Sequence, residues 1–422
     1  MKQQYYVSVS KFVFIMVVMV ISGQYFGWNM GIDANSVNSY ICAVLLLIVF
    51  FSIFIFGCSI LTSYFMDEDK SMTELVGEAL GSKAGFFASI MCYLEYWFAT
   101  PAIAIAFAVY IKGFFPELSK YTAILISFAI VFAANIGNLK YVAKIETIAT
   151  IVALFGIACF YYVGFSNLSA VGHDMVEQTS MTLGSFGKAI SFGIWLFLGI
   201  EGGITLMHAM KSPSKVGRKG ILIGLMILSL LAIFTSLIFI KLAPSSMLLD
   251  PDPLPSFAAY FGNTFIYSIL VFTGLIGIMA SLNGLTIGYI QQHKMLAKSY
   301  GYSDSRLVTF YIPLAVALIC SLSNDLSQGF VILSVYCAIL VYGMVWVSVI
   351  KISYSLKKWK MFAFYTLTLH IMIFVGACTY FYGALSTSVQ LFNTEILTAY
   401  LLMFFVLIAI IVSFFFTRCK KD

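Results

Sequence analysis

Twelve apolar runs follow one another along the chain, at roughly residues 12–32, 41–63, 86–111, 121–137, 145–165, 187–208, 220–242, 264–290, 307–323, 328–350, 361–383 and 395–417. Each is near the roughly 20 residues that a helix needs to cross a bilayer, so the pattern predicts an all-α integral membrane protein. The fourth and ninth are short and their edges are soft. Two others are interrupted at their centres. Phe12 to Ile21 is continuously apolar, then Ser22, Gly23, Gln24, Gly27 and Asn29 arrive at mid-bilayer depth before Met30, Gly31 and Ile32 restore the apolar character. Irregular backbone is tolerated there only when it is buried in protein or lines a cavity. Gly23 and Gly27 also satisfy a G-x-x-x-G spacing, which would serve close helix packing instead.

The second interruption falls in Ala189 to Met210, where Gly199, Gly202 and Gly203 surround Glu201 and Pro213 soon follows. It comes five crossings after the first. Residues 12–165 and 187–350 therefore read as two repeats of opposite orientation, with 361–417 as two peripheral helices and 418–422 as a tail. A broken helix exposes free N–H groups at one half and carbonyls at the other, which suits a midplane binding site. No ring-forming filter motif points to a channel.

Composition agrees with the pattern: 61% of the 422 residues are hydrophobic and 10% charged, with mean hydropathy +0.98. With the N-terminus inside, only Lys112, Lys120, Lys188 and Lys241 of the 24 Lys and Arg residues fall outside. This asymmetry predicts cytoplasmic termini, a cell-membrane location and contact with lipid, and it reads the net charge of +6 as topology rather than nucleic-acid affinity. The first run lacks an Ala-x-Ala-like cleavage site. The eight cysteines contain no C-x-x-C pair and read as packing residues.

Beyond the interruptions, Glu95 lies in the first third of the third crossing, where a carboxyl facing lipid would cost several kcal/mol. It is read as a pathway or substrate-contacting residue, with helix packing as the alternative. Pro101, six positions on, is expected to kink the helix or free the Trp97 carbonyl. Glu146 reads as a packing salt bridge to Lys140 or Lys144, or as a gate. In the eighth crossing Ser281 and Asn283 diverge by about 200° on a regular helix, so only one of them faces the cavity. His370 reads as a packing or interface residue, and His208 as an inner-gate hydrogen bond. His173 and His293 lie in loops, and no His pair has metal-ligand spacing.

The runs SGQYFGWNMG (22–31), EYWFATPAIA (95–104), WLFLGIEGG (195–203) and GLIGIMASLNGLTIGYIQQHKMLAKSYGY (274–302) resemble the amino acid–polyamine–organocation transporter superfamily. Within it the likeness is to ethanolamine permease-like proteins, over essentially the whole length. The resemblance implies a five-plus-five inverted-repeat fold with two added helices, and a substrate held between the unwound centres of helices one and six. The family site then falls on Ser22, Gly23, Gln24, Gly27, Trp195, Gly199 and Glu201, with Trp195 covering the substrate and Glu201 associated with transport and gating; the alternatives are an interfacial anchor for Trp195 and a structural cap on the helix-six amides for Glu201. In some proton-coupled relatives helix five carries a lysine. Here Ala153 stands there, so Glu201 or Glu95 becomes the candidate proton carrier.

Together these readings predict secondary active transport of a small amine. Glu95 and Glu201 could compensate an ammonium, while Gln24, Tyr25 or Asn29 could hydrogen-bond a hydroxyl. Ethanolamine or a similar amino alcohol is the expected substrate, with a small neutral amino acid as the alternative and a channel or transporter-like receptor as the other class. Proton coupling or exchange is expected, and sodium is not supported because the carboxylate cluster such an ion would want is missing. No cofactor is implied. An enzyme would need a nucleophile and base or a metal cluster, and a nucleotide-driven pump a phosphate loop; neither pattern occurs in the sequence. A monomer or weak homo-oligomer is expected.

Overall fold

The first helix, α1 (Val9–Tyr25), runs through the middle of the bundle, and from Met16 to Tyr25 every side chain is buried. The structure, a computed structural model, describes residues 8–65, 70–136, 139–169, 181–205, 217–300, 313–318, 321 and 324–388. After a short 3₁₀ turn at Trp28–Gly31 come α2 (Val37–Phe65), α3 (Met72–Leu80), α4 (Ser82–Ile111), α5 (Lys120–Ile136) and α6 (Leu139–Ser166). The second half begins with α7 (Leu183–Gly193), a 3₁₀ turn at Ile194–Leu196 and α8 (Ile200–Thr205), and continues with α9 (Arg218–Leu242). A 3₁₀ turn at Ser245–Leu249 and α10 (Pro253–Tyr260) lead to α11 (Thr264–Tyr300), α12 (Asn324–Ser355) and α13 (Trp359–Ser388).

The described chain is an all-α, multi-pass membrane protein. Eight of its helical spans are long and apolar enough to cross a bilayer, and Val9–Tyr25 and Lys120–Asn135 are shorter apolar helices. These ten segments match ten of the twelve apolar runs. The run at 395–417 lies outside the described residues, as does most of 307–323.

Packing separates a core from a periphery. α1 lies against α6, α9 and α11, while α4 lies against α11 and α12. Of the α7–α8 span 78% is buried inside the protein, against 28% of the α13 span. Large apolar side chains on α13, among them Leu367, Ile373 and Phe381, are exposed accordingly. In a membrane that surface faces lipid at no hydrophobic cost.

The short helices have local causes. Ser71 and Glu74 form a reciprocal capping box that starts α3, and Gly81 at φ 109° turns the chain directly into α4. α3 and α10 lie outside the apolar runs. Pro101 does not break α4, which is continuous through it. The six described cysteines, including Cys58, Cys92 and Cys337, are unpaired.

Candidate functional site

Both interrupted crossings are broken, and the two breaks touch. α1 ends at Tyr25, Phe26 is extended (φ −153°, ψ 160°), and Gly27 at φ 88° enters the 3₁₀ turn. A left-handed residue at that point favours glycine. The Ser281 hydroxyl of α11 donates to Val18 O at 2.6 Å and accepts from Ser22 N at 3.1 Å. It thus spans the backbone pair that one helical turn of α1 would join, one of the known ways a side chain loosens a helix. Past it, Tyr110 Oη donates to Tyr25 O (2.7 Å) and Trp28 Nε1 to Gln24 O (3.0 Å), so these carbonyls of the break are satisfied.

The second break runs from Ile194 to Gly199, where φ is 101° and α8 begins. Gly23 and Trp195 bring the two breaks together: a Cβ on Gly23 would collide with the Trp195 carbonyl oxygen. Only a bare Cα permits this approach. Glu201 turns back on the start of its own helix, and Oε2 accepts from Gly199 N (3.2 Å) and from Tyr342 Oη of α12 (2.8 Å). The carboxyl of Glu95 on α4 lies beside it. Among the described residues neither Glu95 Oε2 nor Glu201 Oε1 has a hydrogen-bond donor. Both residues are 1% exposed, which rules out water as the ordinary solvent of either group.

Between the breaks lies a cavity of about 10 Å³, lined by Met19, Ser22, Glu95, Ala99, Ile103, Trp195, Leu198, Gly199 and Leu285. That is room for roughly one water molecule. The Trp195 ring tilts against Phe26 at 6.0 Å, and its indole N–H is buried without a partner.

The sequence-predicted residues sort themselves by this geometry. Ser22, Glu95, Trp195 and Gly199 line the cavity, and Glu201 joins it through Glu95. Gly23 makes the backbone contact, Gly27 supplies the turn, and Ser281 secures α1. Gln24 is fully buried with neither amide atom partnered, and it is not among the lining residues. Tyr25 points the other way: its hydroxyl donates to Ala153 O (2.6 Å) and lies 3.4 Å from Thr273 Oγ1, tying α1 to α6 and α11. Asn29 Nδ2 donates to Leu248 O (3.1 Å) and Asp250 O (2.8 Å), fastening the segment before α10 to the α1 break.

Asn283 diverges from Ser281 as helical geometry requires. Its Nδ2 donates to Glu146 Oε1 and its Oδ1 accepts from Asn135 Nδ2 (2.7 Å), a chain from α5 through α11 to α6. The partner of Glu146 is therefore the Asn283 amide, while Lys144 is exposed and the side chain of Lys140 lies outside the described residues. His293 stacks on Tyr93 with its Nδ1 3.1 Å from the Tyr93 hydroxyl, and His370 is exposed. His173 and His208 lie outside the described residues. Among the described residues no group of three or more His, Cys, Asp or Glu could hold a metal ion.

Tyr342 and Tyr110 are site residues that sequence reading missed. Each is a tyrosine inside an apolar crossing, and burial of its hydroxyl at that depth is a signal for a partner. No protein-family model matches the chain, and no curated protein matches it.

Proposed function

We propose that the chain is a secondary transporter for a small amine, most readily ethanolamine or a similar amino alcohol, working by alternating access within a five-plus-five inverted-repeat fold. The observation that carries this reading is the meeting of two broken crossings, five crossings apart, around a cavity that holds a carboxyl. Broken helices at a membrane midplane are the recurring architecture of transporter sites. The sequence resemblance to ethanolamine permease-like proteins of the amino acid–polyamine–organocation superfamily points the same way.

The backbone donors favour an amino alcohol over an amino acid. A carboxylate would need free N–H groups at the cavity, yet among the residues lining it Ser22 N is held by Ser281, Leu198 N by Ile194 O and Gly199 N by Glu201. An ammonium, by contrast, meets the Glu95 carboxyl directly. A cavity no larger than a water supports a carrier that closes between its open forms rather than a standing pore.

The test is counterflow of labelled ethanolamine in proteoliposomes, with a competition panel of small neutral, aromatic and cationic amino acids and polyamines. Saturable counterflow competed by ethanolamine, persisting when choline replaces sodium, is expected. Competition by an amino acid with none by ethanolamine would reject the substrate. The absence of any saturable counterflow would reject transport.

A further inference from the structure

An ionised carboxylate can only accept hydrogen bonds. Two carboxyls side by side in a buried site therefore require a proton between them, since among the described residues the side-chain and backbone donors Tyr342 Oη and Gly199 N both go to Glu201 Oε2. Among the described residues, the titratable groups around the pair are Cys58 on α2, Cys92 and Tyr96 on α4, and Cys337 and Tyr342 on α12. None of these is basic, so none neutralises the pair in place of a proton.

From this geometry we infer that the substrate's ammonium and the proton held between Glu95 and Glu201 occupy the same place in turn, so that each amine bound releases one proton. The inference rests on the amine-transport reading. The step balances. The O–H bond joining the pair breaks, the proton passes to water in the open pathway, and an N–H of the ammonium donates to the oxygen left behind. One positive charge leaves as one enters, so the buried site keeps its net charge. A change of net charge at this depth would cost several kcal/mol, and exchange avoids it. The carrier then crosses loaded with a proton or with an amine, which makes transport an exchange of the two. Tyr342 is a positioning residue: it holds Glu201 Oε2 and leaves Oε1 without a partner of its own.

The experiment is calorimetric titration of the purified full-length protein with ethanolamine hydrochloride, in buffers of different ionisation enthalpy at one pH. The dependence of heat on buffer gives the protons released. About one proton per ethanolamine is expected for the wild type, with apparent affinity rising up to about tenfold per pH unit. Glu201→Gln and, as a second variant should the first fail to fold, Glu95→Gln keep one carboxyl and an amide donor, so binding is expected with no proton released. Ethanolamine binding by the wild type without proton release would overturn the exchange and leave the transport reading standing. Proton release undiminished in a folded variant would also overturn it. Failure of the folded wild type to bind ethanolamine would overturn the amine reading and this inference with it.

Discussion

Two buried carboxyls in this protein face the same problem and meet opposite partners. Glu146 on α6 meets the amide of Asn283, itself braced by Asn135, whereas Glu201 on α8 meets a second carboxyl, Glu95. An amide offers N–H to a carboxylate permanently and asks for nothing in return. A carboxyl offers a donor only while it holds a proton. The first arrangement is a strut joining three helices; the second has a removable part, and it sits beside the cavity between the two broken crossings. Burial and residue type alone do not distinguish them, because both regions are closed to solvent. The partner does.

The largest expected effect separates the two directly. At matched surface expression, Glu201→Ala and Glu95→Ala should each lower ethanolamine uptake by about 30- to 100-fold, the scale of losing a charged hydrogen-bonding group. Glu146→Gln, which can still bond Asn283, should stay within about threefold. Equal losses at all three positions would erase the distinction.

Stability should show the reverse order. Asn283→Ala leaves Glu146 Oε1 buried without the donor it has now, at a cost of about 1–3 kcal/mol. A double-mutant cycle of Asn283→Ala with Glu146→Gln, followed by thermal unfolding, should return a coupling of about 0.5–3 kcal/mol. Additive effects would mean that the strut carries no load.

Trp195 belongs to one region only, and it sharpens the contrast further. Its ring lines the cavity beside Glu95, where apolar and cation–π contact with an amine are both available. Trp195→Phe should retain several times more uptake than Trp195→Ala; near-normal rates in both would remove the ring from the substrate path.

A third acid, Asp252, gives the smallest effect and a useful control, since it lies outside the spans. Burial, with Asp250 beside it, raises its carboxyl from 3.8 to about 6. Its neutral form is favoured in the folded chain, so this contribution is fully present below about pH 4 and is lost as pH rises through about 6. Asp252→Asn should therefore stabilise the protein at pH 7.5 by about 1 kcal/mol after solvent screening, and by nearly nothing at pH 4. A melting temperature unchanged by the substitution at pH 7.5 would count against this.

What could be read along the chain follows from how local each cause is. Gly23 and Gly27 interrupt a run of apolar residues within one segment, and so do Gly199, Gly202 and Gly203; both breaks were visible for that reason. The helix α3 carried its own sign, Ser71 followed three positions later by Glu74, but an apolar-run reading passes over a nine-residue helix. The partners were not legible at all. Tyr342 is 141 positions from Glu201, and Asn283 is 137 from Glu146. Tyr25 shows the same limit: its chemistry suits a substrate hydroxyl, yet folding aims it at Ala153 and Thr273, which are 128 and 248 positions away.

The cavity of about 10 Å³ has a consequence for rates. An amine cannot enter a space the size of one water, so the observed binding rate must stop rising with concentration once it equals the rate at which the breaks part. The plateau, expected on the microsecond-to-millisecond scale of collective helix motion, is the opening rate itself. Apparent affinity is weakened in proportion to the fraction of time spent open. Widening the closed form, as Leu198→Ala or Leu285→Ala would, should raise the plateau before it changes anything about which amine is preferred.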